Sequence, residues 1–228
     1  MIVSRYYKPE VLLCPKCGNK LAYRHAVSNK LIYFSNGKHI QVHNLGYSCP
    51  VCKDNQIYFS QTANKLAFKG YTYSTKILCI IALLKEKHMS REEICDYFFS
   101  KNIEMSDRNV DNLYRKYKQC IKLNYKELIP NAYARMLKDY GQIRLSIDLI
   151  TAFGNAFVIF YDFFTAEILA FVRFEKLEDS RLLSFLQEYI NKNMNITYIT
   201  SIRRDAYFIP MLKNLCPAKT KFISYSKL

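Results

Sequence analysis

The chain has 228 residues, 50% hydrophobic and 23% charged, a folding composition that excludes a disordered polypeptide. Thirty-four Lys and Arg against 19 Asp and Glu leave a net charge of +15. That excess favours a polyanionic partner, nucleic acid or an anionic membrane surface, over a small acidic metabolite; a basic proteome background is the plain alternative.

No stretch reads as a membrane or export signal. Met1 to Leu13 carries Arg5, Lys8 and Glu10 and has no signal-peptide core. The apolar run Ile77 to Leu84 is too short to span a bilayer. Ala156 to Val172 is broken by Asp162 and Glu167 and reads as paired strands. The expectation is a soluble cytoplasmic protein with no membrane partner and no small-molecule substrate. In that compartment its cysteines are metal ligands or buried thiols rather than disulfides. Short connectors are expected near Gly70, Pro130 and Gly141.

Residues 1–66 carry the strongest motif. Cys14-Pro15-Lys16-Cys17-Gly18 and Cys49-Pro50-Val51-Cys52 each place two sulfurs on one tight turn. Short strands, Leu31 to Phe34 and Ile40 to Val42, flank Asn36-Gly37, a hairpin signal. Two such knuckles supply the four thiolates of a closed, structural zinc site, so the segment reads as a zinc ribbon with Cys14, Cys17, Cys49 and Cys52 as ligands. Ribbons of this kind also take iron. Redox or buried thiols are the alternative.

Residues 70–126 have helical periodicity. Ser74 or Thr75 caps a first helix, and Ser90-Arg91-Glu92-Glu93 is a capping box for a second. Ser106 caps a third, whose stripe is Val110, Leu113, Tyr114, Tyr117 and Ile121. Arg108, Asn112, Arg115 and Gln119 fall opposite, flanked by Lys116 and Lys122. A short helix, a connection and a basic third helix make a helix-turn-helix arrangement for double-stranded DNA. Arg and Asn suit base edges, and Lys suits phosphates. A helical bundle with a solvated charged face is the other reading.

Residues 138–228 carry strand-like runs in the order β-β-β-α-β-α-β. The first, Gln142 to Asp148, sends Ile143, Leu145 and Ile147 one way and Arg144, Ser146 and Asp148 the other. This order, with Asp148 at the end of the first strand, resembles the ribonuclease H-like core of insertion-sequence transposases. Ser146-Ile147-Asp148-Leu149-Ile150-Thr151 resembles that family's first-strand segment. Asp162-Phe163-Phe164-Thr165-Ala166-Glu167-Ile168-Leu169 resembles its second hairpin. Glu178-Asp179-Ser180 resembles the entry to its first helix, and Asp205-Ala206-Tyr207 the stretch after its fourth strand. An upstream zinc ribbon and helix-turn-helix match the family's usual domain order.

The resemblance implies a multidomain α+β protein: zinc ribbon, helix-turn-helix domain, and a partial α/β ribonuclease H-like core of DDE type. It implies recognition of transposon ends and three acidic residues holding two Mg²⁺ ions. Asp148 matches the first acidic position. The second place reads Thr200-Ser201-Ile202, and Asp205, three residues on, serves only if the loop refolds. No Glu follows Glu188, so the third position is unmatched. The chain is therefore expected to bind transposon DNA with an incomplete catalytic site, so that Mg²⁺ enters only if the core is completed. The alternative is a non-enzymatic zinc-ribbon/helix-turn-helix regulator derived from a transposase. Strand residues Phe157, Ile159 and Phe171 are expected to lack cover, which predicts a homo-oligomer or aggregate through the third segment.

Overall fold

The computed structural model describes residues 3–33, 38–52, 55–64, 66–68, 70–165, 167–175, 179–201 and 208–224. It is a mixed α+β structure with two mixed sheets. Internal contacts divide it into two compact units: Met1–Leu78 with Cys95–Met105, and Cys79–Ile94 with Ser106–Leu228. Among the described residues, no helix is long and apolar enough to cross a membrane.

The first unit is built on strands β1 (Val3–Tyr7), β2 (Ala22–Tyr33) and β3 (His39–Ser48). β3 is central, antiparallel to β2 and parallel to β1. Both hairpin strands are longer than the sequence reading, and β1 was not anticipated. The reason is their polarity. Ala22 to Val27 is exposed throughout, so no alternation marks it as a strand. In β3 the alternation is clear over its first seven residues, with Ile40, Val42 and Asn44 buried between less buried neighbours. Asn36-Gly37 lies outside the described residues.

In this unit the buried residues Asn44, Ser60 and Lys30 are paired, whereas the buried ring nitrogens of His39 meet no hydrogen-bond partner among the described residues. The Asn44 side chain donates to the Ser60 carbonyl and accepts from the Ser60 N–H, both at 2.9 Å. Glu10 accepts from the Ser60 hydroxyl and from the N–H groups of Gln61 and Thr62, capping the short helix α1 (Gln61–Asn64). At its other end Lys30 Nζ donates to the carbonyls of Asn64 (2.7 Å) and Ala67 (3.3 Å).

Helices α2 (Thr75–Glu86) and α3 (Arg91–Phe99) each contribute to both units. The capping box forms as its sequence requires. Ser90 N–H donates to Glu93 Oε2 at 2.7 Å, and Glu93 N–H donates to Ser90 Oγ at 3.1 Å.

The second unit holds α4 (Asp107–Cys120), α5 (Tyr125–Tyr140), β4 (Ile143–Ala152), β5 (Asn155–Asp162), β6 (Ile168–Phe174), α6 (Asp179–Tyr189), β7 (Ile196–Ser201), α7 (Phe208–Leu215) and β8 (Lys221–Ser224). The sheet order is β6-β5-β4-β7-β8. β4, β5 and β6 are antiparallel neighbours, whereas β7 and β8 run parallel to β4. One face carries Leu145, Ile147, Leu149, Val158 and Phe160, packed with Ile129 and Met136 of α5, Leu182 and Leu186 of α6, and Phe208 and Leu212 of α7.

Three expectations are corrected here. β4 does not end at Asp148; it runs to Ala152 and turns through Phe153 and Gly154, both at positive φ (47° and 77°). A two-residue turn of this hand matches strand twist and joins β4 to β5 tightly. Pro130 is not a connector but lies inside α5. Its ring is on the exposed side, and Ile129, Ala132, Tyr133 and Met136 bury the other face. That burial outweighs one lost helix bond. Finally, Phe157, Ile159 and Phe171 are buried. Tyr117 of α4 meets Phe157 and Phe171 edge-on, with centroids 6.3 and 5.9 Å away. Helix α4 thus supplies cover that the sequence reading left missing.

Candidate metal centre and nucleic-acid face

The two knuckles converge. In the first, Cys14 N–H donates to the Asn19 carbonyl and Gly18 N–H to the Cys14 carbonyl, both at 2.8 Å. Gly18 takes φ +71°, a left-handed conformation that closes the turn without a Cβ clash. The second follows β3 directly. There Cys52 N–H donates to Cys49 Sγ at 3.4 Å, and the chain returns so that Tyr58 and Tyr47 exchange backbone hydrogen bonds. Leu21 and Tyr47 pack with Cys14 and Cys49 beneath the cluster.

The four ligand atoms lie within 4.8 Å of one another. Cys14 and Cys52 sulfurs are 3.8 Å apart, and Cys17 and Cys49 sulfurs 3.5 Å. A tetrahedron of sulfurs about 2.3 Å from a central metal has edges of about 3.8 Å. A disulfide would bring two of them to about 2.05 Å. The spacing therefore fits a shared metal ion such as zinc, and all four cysteines are free. Local hydrogen bonds favour the thiolate at Cys17 and Cys14, whereas the Cys17 sulfur, together with burial, holds the Cys52 thiol above its ordinary value. The Asn19 amide, 3.3 Å from Cys17 Sγ, and the Asn19 backbone N–H lower the Cys17 thiol to about 6. Burial acts the other way at Cys14, but the backbone N–H groups of Lys16 and Cys17 leave its thiol below the ordinary value.

Helix α4 begins at Ser106, whose side chain accepts from Asn109 N–H. Its buried residues are Val110, Leu113, Tyr117 and Cys120. The predicted stripe is thus shifted: Tyr114 is half-buried and Ile121 is exposed. At about 100° per residue Cys120 falls on the stripe, whereas Ile121 is the C-cap just beyond the last helical residue. The same arithmetic puts Arg115 opposite, with Arg108, Gln119 and Lys122 within about 40° of it. Those four are exposed. Asn112 and Lys116 lie toward the sides and are half-buried. Arg91 of α3 pairs with Asp111 at 3.1 Å, and Lys118 Nζ lies 4.8 Å from the centre of the Tyr114 ring. The result is one helix with an apolar side against the sheet and a cationic, amide-bearing side facing out.

Asp148 lies mid-strand in β4, in register with Ile159, and only 4% of its surface is exposed. It is not a strand-end turn residue. Asp205 lies outside the described residues, as does Ile202. Among the described residues, the four cysteines are the one cluster of three or more metal-ligating side chains. Asp162 plays a structural part, accepting from Arg135 at 2.7 Å and from the N–H groups of Phe164 (2.7 Å) and Thr165 (3.1 Å). Sequence reasoning missed Arg135, which also meets Glu167 at 3.3 Å. Its only signal was a lone Arg on a helix whose existence Pro130 obscured.

Comparison with protein-family models, with curated proteins and with solved structures finds no match to this chain.

Proposed function

We propose that the chain is a transposase-like DNA-binding protein that recognises transposon ends, with an incomplete two-metal phosphodiester-transfer site. The observation that carries the reading is the five-stranded sheet. Three antiparallel strands followed by two parallel ones, in the order β6-β5-β4-β7-β8 with an Asp on the central strand, is the arrangement expected of a ribonuclease H-like core. The cysteine cluster supports a zinc ribbon, with zinc in a structural role because four thiolates leave no open position. The outward side of α4 supports a recognition helix: Arg108, Arg115 and Gln119 for base edges, Lys122 for phosphate.

A second reading is favoured by the burial of Asp148. A carboxylate that holds Mg²⁺ keeps an open coordination sphere with several waters. At 4% exposure Asp148 better suits a non-enzymatic regulator in which the sheet serves as a packing platform. One pair of assays separates the readings. Binding to terminal-repeat duplexes is expected under both. Strand cleavage or joining with Mg²⁺ or Mn²⁺ that disappears in Asp148→Ala would select the enzyme and overturn the incomplete-site claim. For recognition, Arg115→Ala should weaken selective duplex binding by about 1–3 kcal/mol. Lys122→Ala should mainly lower the salt slope, by about one. Unchanged affinity in both variants would remove α4 from the interface.

A further inference from the structure

The geometry points to a second nucleic-acid contact, for single-stranded DNA, at the end of the five-stranded sheet around Arg144. It rests on the nucleic-acid reading above but uses none of its residues. Arg144 opens β4 on the Asp148 side, and the register aligns it with Tyr198 of β7 and Lys221 of β8. Its guanidinium carbon lies 4.5 Å from the centre of the Tyr198 ring, 5.5 Å from Phe164 and 5.9 Å from Phe163. The Gln142 amide, with its oxygen turned toward the guanidinium, accepts from Arg144 Nη2 at 2.9 Å and Nε at 3.3 Å. Lys221 Nζ lies 5.7 Å from the Tyr198 ring centre. Tyr140 stacks on Phe164 with centroids 3.7 Å apart and planes 9° from parallel, and it is 49% exposed.

Two features make this a site rather than a covering of side chains. First, ion pairs among the described residues engage Arg91, Arg135 and Arg173, but not Arg144. The rings and one amide oxygen fix the guanidinium without neutralising it. Its remaining N–H donors stay available to a phosphate, whose geometry the fork matches. Second, the row ends in an aromatic ring with an exposed surface. Cations that track a phosphate backbone beside a stacking platform are the two parts of a single-strand site. A duplex keeps its bases stacked inside and offers Tyr140 nothing to stack upon.

The test measures fluorescence anisotropy of the full chain with labelled oligothymidylate and, separately, with a duplex. Arg144→Ala, Lys221→Glu and Tyr140→Ala should each weaken oligothymidylate binding about tenfold. Arg144→Ala should also reduce the slope of log affinity against log salt by about 0.7. Duplex affinity should change less than about twofold in Tyr140→Ala, and Arg115→Ala should show the opposite selectivity. Lys221 and Tyr140 are exposed, so their variants keep the test decisive should Arg144→Ala fail to fold. Oligothymidylate binding that is absent, or unchanged in Lys221→Glu and Tyr140→Ala, while duplex binding persists, would overturn this site alone. Failure of the wild-type chain to bind either probe would overturn both proposals.

Discussion

Lys30 shows what a single residue can register. It is 3% exposed, and burial lowers its ammonium from the usual range to about 8. Between about pH 8 and 10.5 the unfolded chain then holds the proton that the folded chain has released. The state binding more protons loses ground as pH rises, so folding stability should increase across that window. Urea melts from pH 7.5 to 10.5 should show this rise in the wild type, and a smaller one in Lys30→Met. Asp162 is the other telling residue, 1% exposed and accepting three hydrogen bonds. Asp162→Ala strands those donors and should cost ~2–3 kcal/mol in chemical denaturation. Arg135→Ala, whose side chain is 43% exposed, should cost less.

At the scale of elements, α4 has the clearest consequence. Tyr117 fills the space over Phe157 and Phe171 and donates from its hydroxyl to Glu86 at 3.4 Å. Tyr117→Ala should destabilise the second unit by ~3–5 kcal/mol, whereas Tyr117→Phe should cost about 1 kcal/mol, as thermal melts would report. Elements with local signals were legible in the sequence. The knuckles, the Ser90 capping box and Ser106 cap follow from neighbouring residues, and Gly141 ends α5 at φ 66°. Elements fixed by distant partners were not. α5 is helical because Ile129 and Met136 reach the sheet, and Tyr133 donates to the Tyr189 carbonyl 56 residues on. β2 is a strand because β3 pairs with it, not because its own pattern alternates. The Arg144 cluster gathers rings from α5, the β5–β6 turn and β7, and no window of sequence shows them together.

For the whole molecule, the two units differ in how they are held. The second has an extensive apolar core on one sheet face. Around the cysteines the first has a small cluster of Cys14, Leu21, Tyr47 and Cys49, a size at which metal ligation usually supplies folding energy. Native mass spectrometry should find one zinc per chain, lost in Cys49→Ser. Chelation should raise hydrogen exchange in residues 12–23 and 45–58 while β4, β5 and α5 stay protected. Uniform protection before and after chelation would remove the metal from the account of stability.

The seating of Tyr117 on the sheet also bears on how the chain can be dissected. A fragment cut after residue 126 would carry α4 without β5 and β6, leaving Tyr117 without Phe157 and Phe171, the rings it packs on. Such a piece should express as an aggregating or molten species, and adding back residues 127–228 in trans should rescue its solubility. The helix that presents Arg115 outward is thus not a portable cassette. Its orientation is inherited from the sheet, so grafting the Arg115-bearing surface elsewhere means transplanting the strands beneath it.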